Sequence, residues 1–351
     1  MAEKMRALQY TTVGKAPEIV ELDKPSPGPG EILLKITAAG VCHSDEFVMS
    51  LPQDVFTTMG WRTPMTLGHE GAGVVAELGD GVTEFAVGDS VAVYGPWGCG
   101  VCDFCVVGKE MLCPHVVELG IQAPGLGSPG AMADYMIVDA ARHLVPLGDL
   151  DPVANVSLTD AGLTPYHAIK RSLHKLTPGK VAVCIGAGGL GHMAIQILRA
   201  LSPVTVVALD IAEAKLALAR EVGAHHAFIS DDAAVESVRA LTGGVGAVAV
   251  FDFVGNDATA ALAGKLVGPE AEISLVGVGG GSLAVGFGIG PWDVSVRSPY
   301  WGSRPELMEV LELARSGKIS VEHEVFALAD GAKAYARMHE GTLRGRAVLV
   351  P

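Results

Sequence analysis

Four cysteines, Cys99, Cys102, Cys105 and Cys113, fall within the stretch CGVCDFCVVGKEMLC. The spacing C-x2-C-x2-C-x7-C lets one loop wrap four thiolates around a Zn²⁺ and leave no coordination position open, the pattern of a structural site. Thiolates this close repel one another unless a cation neutralises them or they oxidise. A disulfide cluster fits poorly, because adjacent C-x2-C pairs close strained loops and nothing else in the chain suggests secretion. Only Cys42 and Cys184 remain, far apart in sequence.

A second group of residues suits a phosphate ligand. The apolar run VAVCI leads into Gly186-Ala187-Gly188-Gly189-Leu190-Gly191, a G-x-G-x-x-G match at the opening of a helical stretch. In that pattern the first glycine permits a tight turn, the second a close backbone approach to pyrophosphate, and the third close helix–strand packing. The helix start adds free N–H groups and partial positive charge. Asp210 ends the next apolar run, nineteen residues after Gly191. A carboxylate there accepts from both ribose hydroxyls and repels a 2′-phosphate. No arginine follows closely, so NAD is expected over NADP. Lys215 is placed either to reach the same ribose or simply to be solvated.

The third constellation is Cys42-His43-Ser44-Asp45 with Gly68-His69-Glu70-Gly71. Taken alone, one Cys and one His at this separation read as a buried thiol and a satisfied core histidine. Cys184 reads as core of the first nucleotide-domain strand.

The elements that must position these groups differ along the chain. Up to about residue 150, short alternating runs such as EILLKITAAG, AGVVAEL, DSVAVYG and DYMIVD are broken by Gly, Pro and Asp turns, which predicts a sheet-rich, barrel-like domain. Asp151-Pro152 suits a helix start, with Asp as cap and Pro in the first turn. From about 162 to 299 apolar strands alternate with helical stretches, which predicts a parallel sheet covered on both faces. The helix PELMEVLELARSG and the strand RAVLV then return to the first domain. With 351 residues there is chain enough for two cores, and 49% hydrophobic with 18% charged residues describes a globular protein. The net charge of −14 with no basic run argues against nucleic acid or an anionic membrane as partner. No apolar run reaches membrane-spanning length, and free thiols without a secretory signal point to the cytoplasm.

Taken in order, G-x-C-H-S-D, G-H-E-G-x-G, the cysteine lobe, G-x-G-G-L-G and the terminal G-R-A-V-L resemble the zinc-dependent medium-chain alcohol dehydrogenases across essentially the whole chain. Among these the sequence is most similar to bacterial enzymes acting on secondary alcohols and ketones. The resemblance implies an α/β protein: a GroES-like β-rich catalytic domain over 1–161, with a zinc lobe at about 95–115, a Rossmann-type domain inserted over 162–299, and a return to the catalytic domain over 300–351. It also implies NAD, two zinc ions per chain, and a homo-oligomer, dimer or tetramer.

Residue by residue, the resemblance implies Cys42 and His69 as ligands of a catalytic zinc. The third ligand is a cysteine in many members; the matching stretch here, LTDAGLT, offers Asp160. Glu70, beside His69, is the competing carboxylate. Asp45 is implied to orient His69 from behind the metal. Ser44 would take the alcohol proton and pass it toward the cofactor ribose, or else be a plain helix N-cap or turn serine. Phe47 stands where several relatives carry a relay histidine, which interrupts the outer relay and supplies an apolar wall instead. Leu126 and Trp301 are implied as further pocket residues, with Trp301 alternatively at a subunit contact. His43 aligns with a position that faces cofactor phosphates or is plain surface, and residues 50–64 read as a mobile lip or an ordinary surface loop. The activity implied is NAD(H)-linked interconversion of hydrophobic alcohols with ketones or aldehydes. The alternatives are a same-fold dehydrogenase for a polyol or other polar alcohol, and a non-catalytic nucleotide-binding relative.

Overall fold

The computed structural model describes residues 3–351, which divide into two compact units. The first takes the described chain up to Asp160, then Ser303–Arg315 and Ser320–Pro351; the second is Ala161–Gly302 with Ser316–Ile319. The passages thus fall after Asp160 and Gly302, where the sequence suggested 161 and 299. The physical reason is local. Asp160 is buried among first-unit side chains, whereas a Cβ on Gly302 would lie 2.5 Å from Leu163 of the second unit.

The chain opens with β1 (Lys4–Tyr10), β2 (Glu18–Asp23), β3 (Ile32–Val41), α1 (His43–Ser50) and α2 (Gln53–Thr58). It continues through β4 (Met65–Thr66), β5 (Glu70–Leu78), β6 (Ser90–Val93), β7 (Ala123–Pro124), β8 (Gly127–Ser128), β9 (Tyr135–Val138) and β10 (Leu144–Pro146). A single turn, α3 (Pro152–Asn155), closes this part; Asp151 caps it by accepting from Val153 N at 3.2 Å. The second unit contains α4 (Leu163–Ser172), β11 (Val181–Ile185), α5 (Gly191–Leu201), β12 (Thr205–Asp210), α6 (Glu213–Glu221) and β13 (His226–Ile229). It is completed by α7 (Asp232–Leu241), β14 (Ala247–Asp252), α8 (Asp257–Leu266), β15 (Val267–Leu275) and β16 (Ser295–Arg297). The first unit then regains α9 (Arg304–Arg315), β17 (His323–Ala327), α10 (Gly331–His339) and β18 (Arg346–Val350).

The main sheet of the first unit runs β10-β6-β5-β3-β18-β17, with β9 also paired to β3. The central strand β3 buries Ile32, Leu33, Leu34 and Ile36, which its apolar sequence makes favourable. Its register sets Gly40 opposite Glu70 on β5 and Val41 opposite Ala347 on β18. Three adjacent strands therefore bring Cys42, the His69-Glu70 pair and Arg346 to one end of the sheet. Residues 50–64 are more than a plain loop: they hold α2, anchored by the buried Phe56 edge-on to Tyr10 and Trp61.

In the second unit the order β13-β12-β11-β14-β15-β16 is parallel throughout. Nearly continuous apolar strands are what burial on both faces requires. Strand order reverses between β11 and β14, which is where open α/β sheets bind ligands beyond the strand ends.

Candidate active site and metal centres

Cys42 follows β3 directly and is the N-cap of α1. Asp45, three residues on, accepts from Cys42 N through Oδ2 at 3.1 Å, so one carboxylate fixes the turn that carries the thiol. Its other oxygen, Oδ1, meets His69 Nδ1 at 2.9 Å. That contact leaves Nε2 facing the cluster, where Asp160 Oδ2 lies 3.6 Å away. Asp160 Oδ2 is also 3.4 Å from Cys42 Sγ, and Ser44 Oγ is 3.6 Å from the same sulfur. Cys42, His69, Glu70 and Asp160 each offer a ligand atom, all within 4.8 Å of one another and all from buried residues.

The electrostatics of this cluster favour a cation. Burial pulls His69 down, but the charge of Asp45 and hydrogen bonds to Asp160, Asp45 and Cys42 outweigh it and hold the imidazole well above its ordinary value. Burial raises Glu70, partly opposed by the Arg346 charge. Glu70 is ion-paired with Arg346 in the interior, yet its Oε2 has no hydrogen-bond partner although buried. A buried thiol, imidazole and carboxylates, with one oxygen unsatisfied, fit a zinc ion.

The four lobe cysteines also converge. Sγ separations are 3.4 Å for Cys102–Cys105, 3.8 Å for Cys99–Cys105 and 3.9 Å for Cys102–Cys113. A tetrahedron with Zn–S bonds of about 2.3 Å has edges of about 3.8 Å, so the sulfurs stand where such an ion needs them and far outside disulfide length. The N–H of Val101 leads the effects that lower Cys99 to about 6, while burial pushes Cys105 up, so Cys105 gains its thiolate form with a cation's help. Behind the lobe, buried Glu110 accepts from Gly98 N at 2.7 Å and meets His143 Nε2 at 2.8 Å. His143 in turn meets Asp139 at 2.5 Å and stacks on Trp97.

In the second unit the fingerprint turn has the expected shape. Gly186 has φ +85°, and a Cβ on Gly191 would lie 1.8 Å from Gly186 O. Space over Gly188 is open to 4 Å, which leaves the backbone approachable by a pyrophosphate. Leu190 is the N-cap of α5, and Gly189 precedes it. Asp210 does more than end β12: it accepts from Ala187 N at 2.8 Å and Ala212 N at 3.0 Å, so it also braces the turn. Lys215 lies half-buried in α6.

The pocket residues are not gathered within one unit. Phe47 on α1 is 41% exposed, and Leu126 packs on the first-unit core. Trp301 belongs to the second unit, buried, edge-on to Tyr300 and at φ +50°. His43 is exposed, 3.9 Å from Glu46. Cys184 is fully buried in β11, and burial raises its thiol.

Comparison with known proteins gives the family. Residues 28–149 match the alcohol dehydrogenase GroES-like domain and residues 189–316 the zinc-binding dehydrogenase domain. An NAD-dependent alcohol dehydrogenase of Sulfurisphaera tokodaii is 34% identical over 358 residues, covering 99% of this chain and 100% of its own. The chain belongs to the zinc-dependent medium-chain alcohol dehydrogenases. A D-arabinose 1-dehydrogenase (NADP(+)) of Saccharolobus solfataricus is also 34% identical, over 95% of this chain and 94% of its own. The crystal structure of the alcohol dehydrogenase of Aeropyrum pernix superposes with a TM-score of 0.90 at 33% identity, over 99% of this chain and 100% of that one. This medium-chain dehydrogenase is therefore an oxidoreductase of the zinc-binding, alcohol dehydrogenase type.

Two residues of this dehydrogenase's site are not marked by any motif of the sequence. Arg346 neutralises Glu70 from β18, and its signal was a lone arginine in the otherwise apolar strand RAVLV. Tyr335 on α10 donates from its hydroxyl to Asp45 Oδ2 at 2.9 Å, with no local signal beyond the apolar face of its helix.

Proposed function

We propose that this dehydrogenase interconverts hydrophobic secondary alcohols and ketones with NAD(H), using two zinc sites per chain. The reading is carried by the convergence of Cys42, His69 and Asp160 in one buried cluster. These three would hold the catalytic ion, with Glu70 kept in reserve by Arg346, and the four lobe cysteines would hold the structural one. Two anions and a neutral imidazole would balance Zn²⁺, and three protein ligands would leave room for a substrate oxygen. Bound there, zinc supplies Lewis acidity toward an alcohol or carbonyl oxygen, and NAD supplies the hydride acceptor.

The chain's own residues do the rest. Asp45 holds His69 by Nδ1, fixing which nitrogen faces the metal. Ser44, beside Cys42 Sγ, is positioned to take the proton an alcohol gives up. Phe47 and Leu126 supply apolar surface for the substrate from the first unit, and Trp301 is a further candidate from the second. Gly188 leaves room for the pyrophosphate, and Asp210 favours the unphosphorylated ribose. His43 and Lys215 are further cofactor contacts in this reading.

The protein would work as a homo-oligomer, dimer or tetramer: β16 ends its sheet, and Phe287 and Trp292 between β15 and β16 are exposed. Six unpaired cysteines suit the reducing cytoplasm. The test is a panel of secondary aryl alcohols, short alkanols and polyols with NAD and NADP. The expected result is the highest kcat/KM for apolar secondary alcohols with NAD, and a preference for polyols would overturn the substrate assignment.

A further inference from the structure

Asp45 carries three hydrogen bonds although its carboxylate is wholly enclosed. One oxygen meets His69 Nδ1; the other accepts from Cys42 N and from the hydroxyl of Tyr335. Tyr335 comes from α10, in the part of the chain that returns to the first unit after the dinucleotide-binding unit. Among the described residues its hydroxyl also lies 3.4 Å from the thioether of Met132. A thioether is a weak acceptor and donates nothing. The hydroxyl proton is therefore directed at Asp45. Burial first, and then the charge of and hydrogen bond to Asp45, push the phenol well above its ordinary range, so it remains a donor across the working pH of an enzyme.

A carboxylate held by one backbone N–H and one imidazole has a single partner on each oxygen, and its terminal torsion is intrinsically broad. A third donor on the second oxygen narrows the remaining freedom. The plane of Asp45 then fixes the plane of His69. We infer that Tyr335 is a positioning residue of the catalytic metal site: its hydroxyl locks Asp45, and through it the direction in which His69 presents Nε2 to the metal. The inference rests on the reading of His69 as a zinc ligand. It also gives α10 a part in the chemistry, since the last part of the chain sets the geometry of a ligand carried between β4 and β5.

The test uses Tyr335→Phe, which removes one oxygen and keeps the ring. Zinc transfer from the full-length enzyme to a colorimetric chelator should show a fast and a slow equivalent, the slow one belonging to the four-cysteine lobe. Tyr335→Phe should lose the fast equivalent roughly 10-fold sooner than the parent, the scale of such outer partners, with the slow phase unchanged. Cobalt exchanged into the fast site should show altered visible bands. Asp45→Asn guards against a folding effect: if Tyr335 acts through Asp45, adding Tyr335→Phe to Asp45→Asn should change the release rate little further. Equal release by Tyr335→Phe and parent, with identical cobalt spectra, would overturn the inference. So would an effect of the same size in both Asp45 backgrounds. A parent enzyme with no fast equivalent would overturn the zinc reading itself, and this inference with it.

Discussion

Gly40 is predicted to resist replacement, and the structure gives the scale of its loss. A Cβ there would lie 1.7 Å from Glu70 Oε2, 2.7 Å from Cδ and 3.0 Å from Cβ of the same side chain. Non-bonded heavy atoms settle at about 3.5 Å, so the carboxylate must retreat by roughly 2 Å. It has nowhere apolar or wet to go: Glu70 is fully enclosed, and its partner Arg346 is 3% exposed. Retreat breaks the Glu70–Arg346 pair and leaves two buried charges apart, which costs about 3–5 kcal/mol. Taking the lower figure, and about 2–4 °C per kcal/mol for a unit of this size, Gly40→Ala should melt about 6–12 °C below the parent. Circular dichroism during a thermal ramp reads this directly. Gly40→Ala with Glu70→Asp withdraws the carboxylate by one bond of about 1.5 Å and should recover part of the loss. A Gly40→Ala protein melting within about 2 °C of the parent would refute the reasoning.

The anchor behind the cysteine lobe should be sensitive to pH. Burial lowers His143, but hydrogen bonds to Asp139 and Glu110 and their charges leave it above its ordinary 6.5. A raised folded pKa gives stability that is complete below about 6.5 and is lost as pH climbs through the folded value. His143→Asn should therefore cost most near about pH 6 and less toward about pH 9 in urea unfolding; a constant gap across that range would contradict it. For the cofactor, Asp210→Gly with Ile211→Arg should move preference from NAD toward NADP. Because Asp210 also braces Ala187 and Ala212, the double variant should bind either cofactor more weakly than the parent binds NAD. Titration of NADH and NADPH fluorescence decides it, and an unchanged NAD preference would remove Asp210 from the ribose site.

Much of the fold was legible because its signals are local. The apolar run VAVCI and its alternation with helical stretches announced parallel strands, the glycine spacing announced the phosphate turn, and Asp151-Pro152 announced a helix start that Asp151 does cap. The four lobe cysteines were legible because metal geometry constrains spacing within one loop. Asp160 was reached through resemblance alone, since nothing between residues 42 and 160 says that a carboxylate so distant meets Cys42. Tyr335 and Arg346 were illegible as site residues for the same reason: their roles arise when β18 pairs with β3 and α10 packs over Asp45, contacts made across about 300 residues of chain. The helix in 50–64 was hidden by its shortness and its mostly exposed face; its backbone hydrogen bonds show it, and Phe56 alone anchors it to the core.

Asp160 as a ligand of a second zinc is the feature on which the catalytic site depends most directly. Zinc-edge anomalous diffraction from crystals of the parent protein and of Asp160→Asn measures this site by site. The parent should show two peaks per chain, one inside the four lobe cysteines and one among Cys42, His69 and Asp160. Asp160→Asn should keep the first, lose or strongly weaken the second, and still bind NADH. Two full peaks in Asp160→Asn, with the second reached through Glu70, would contradict the account.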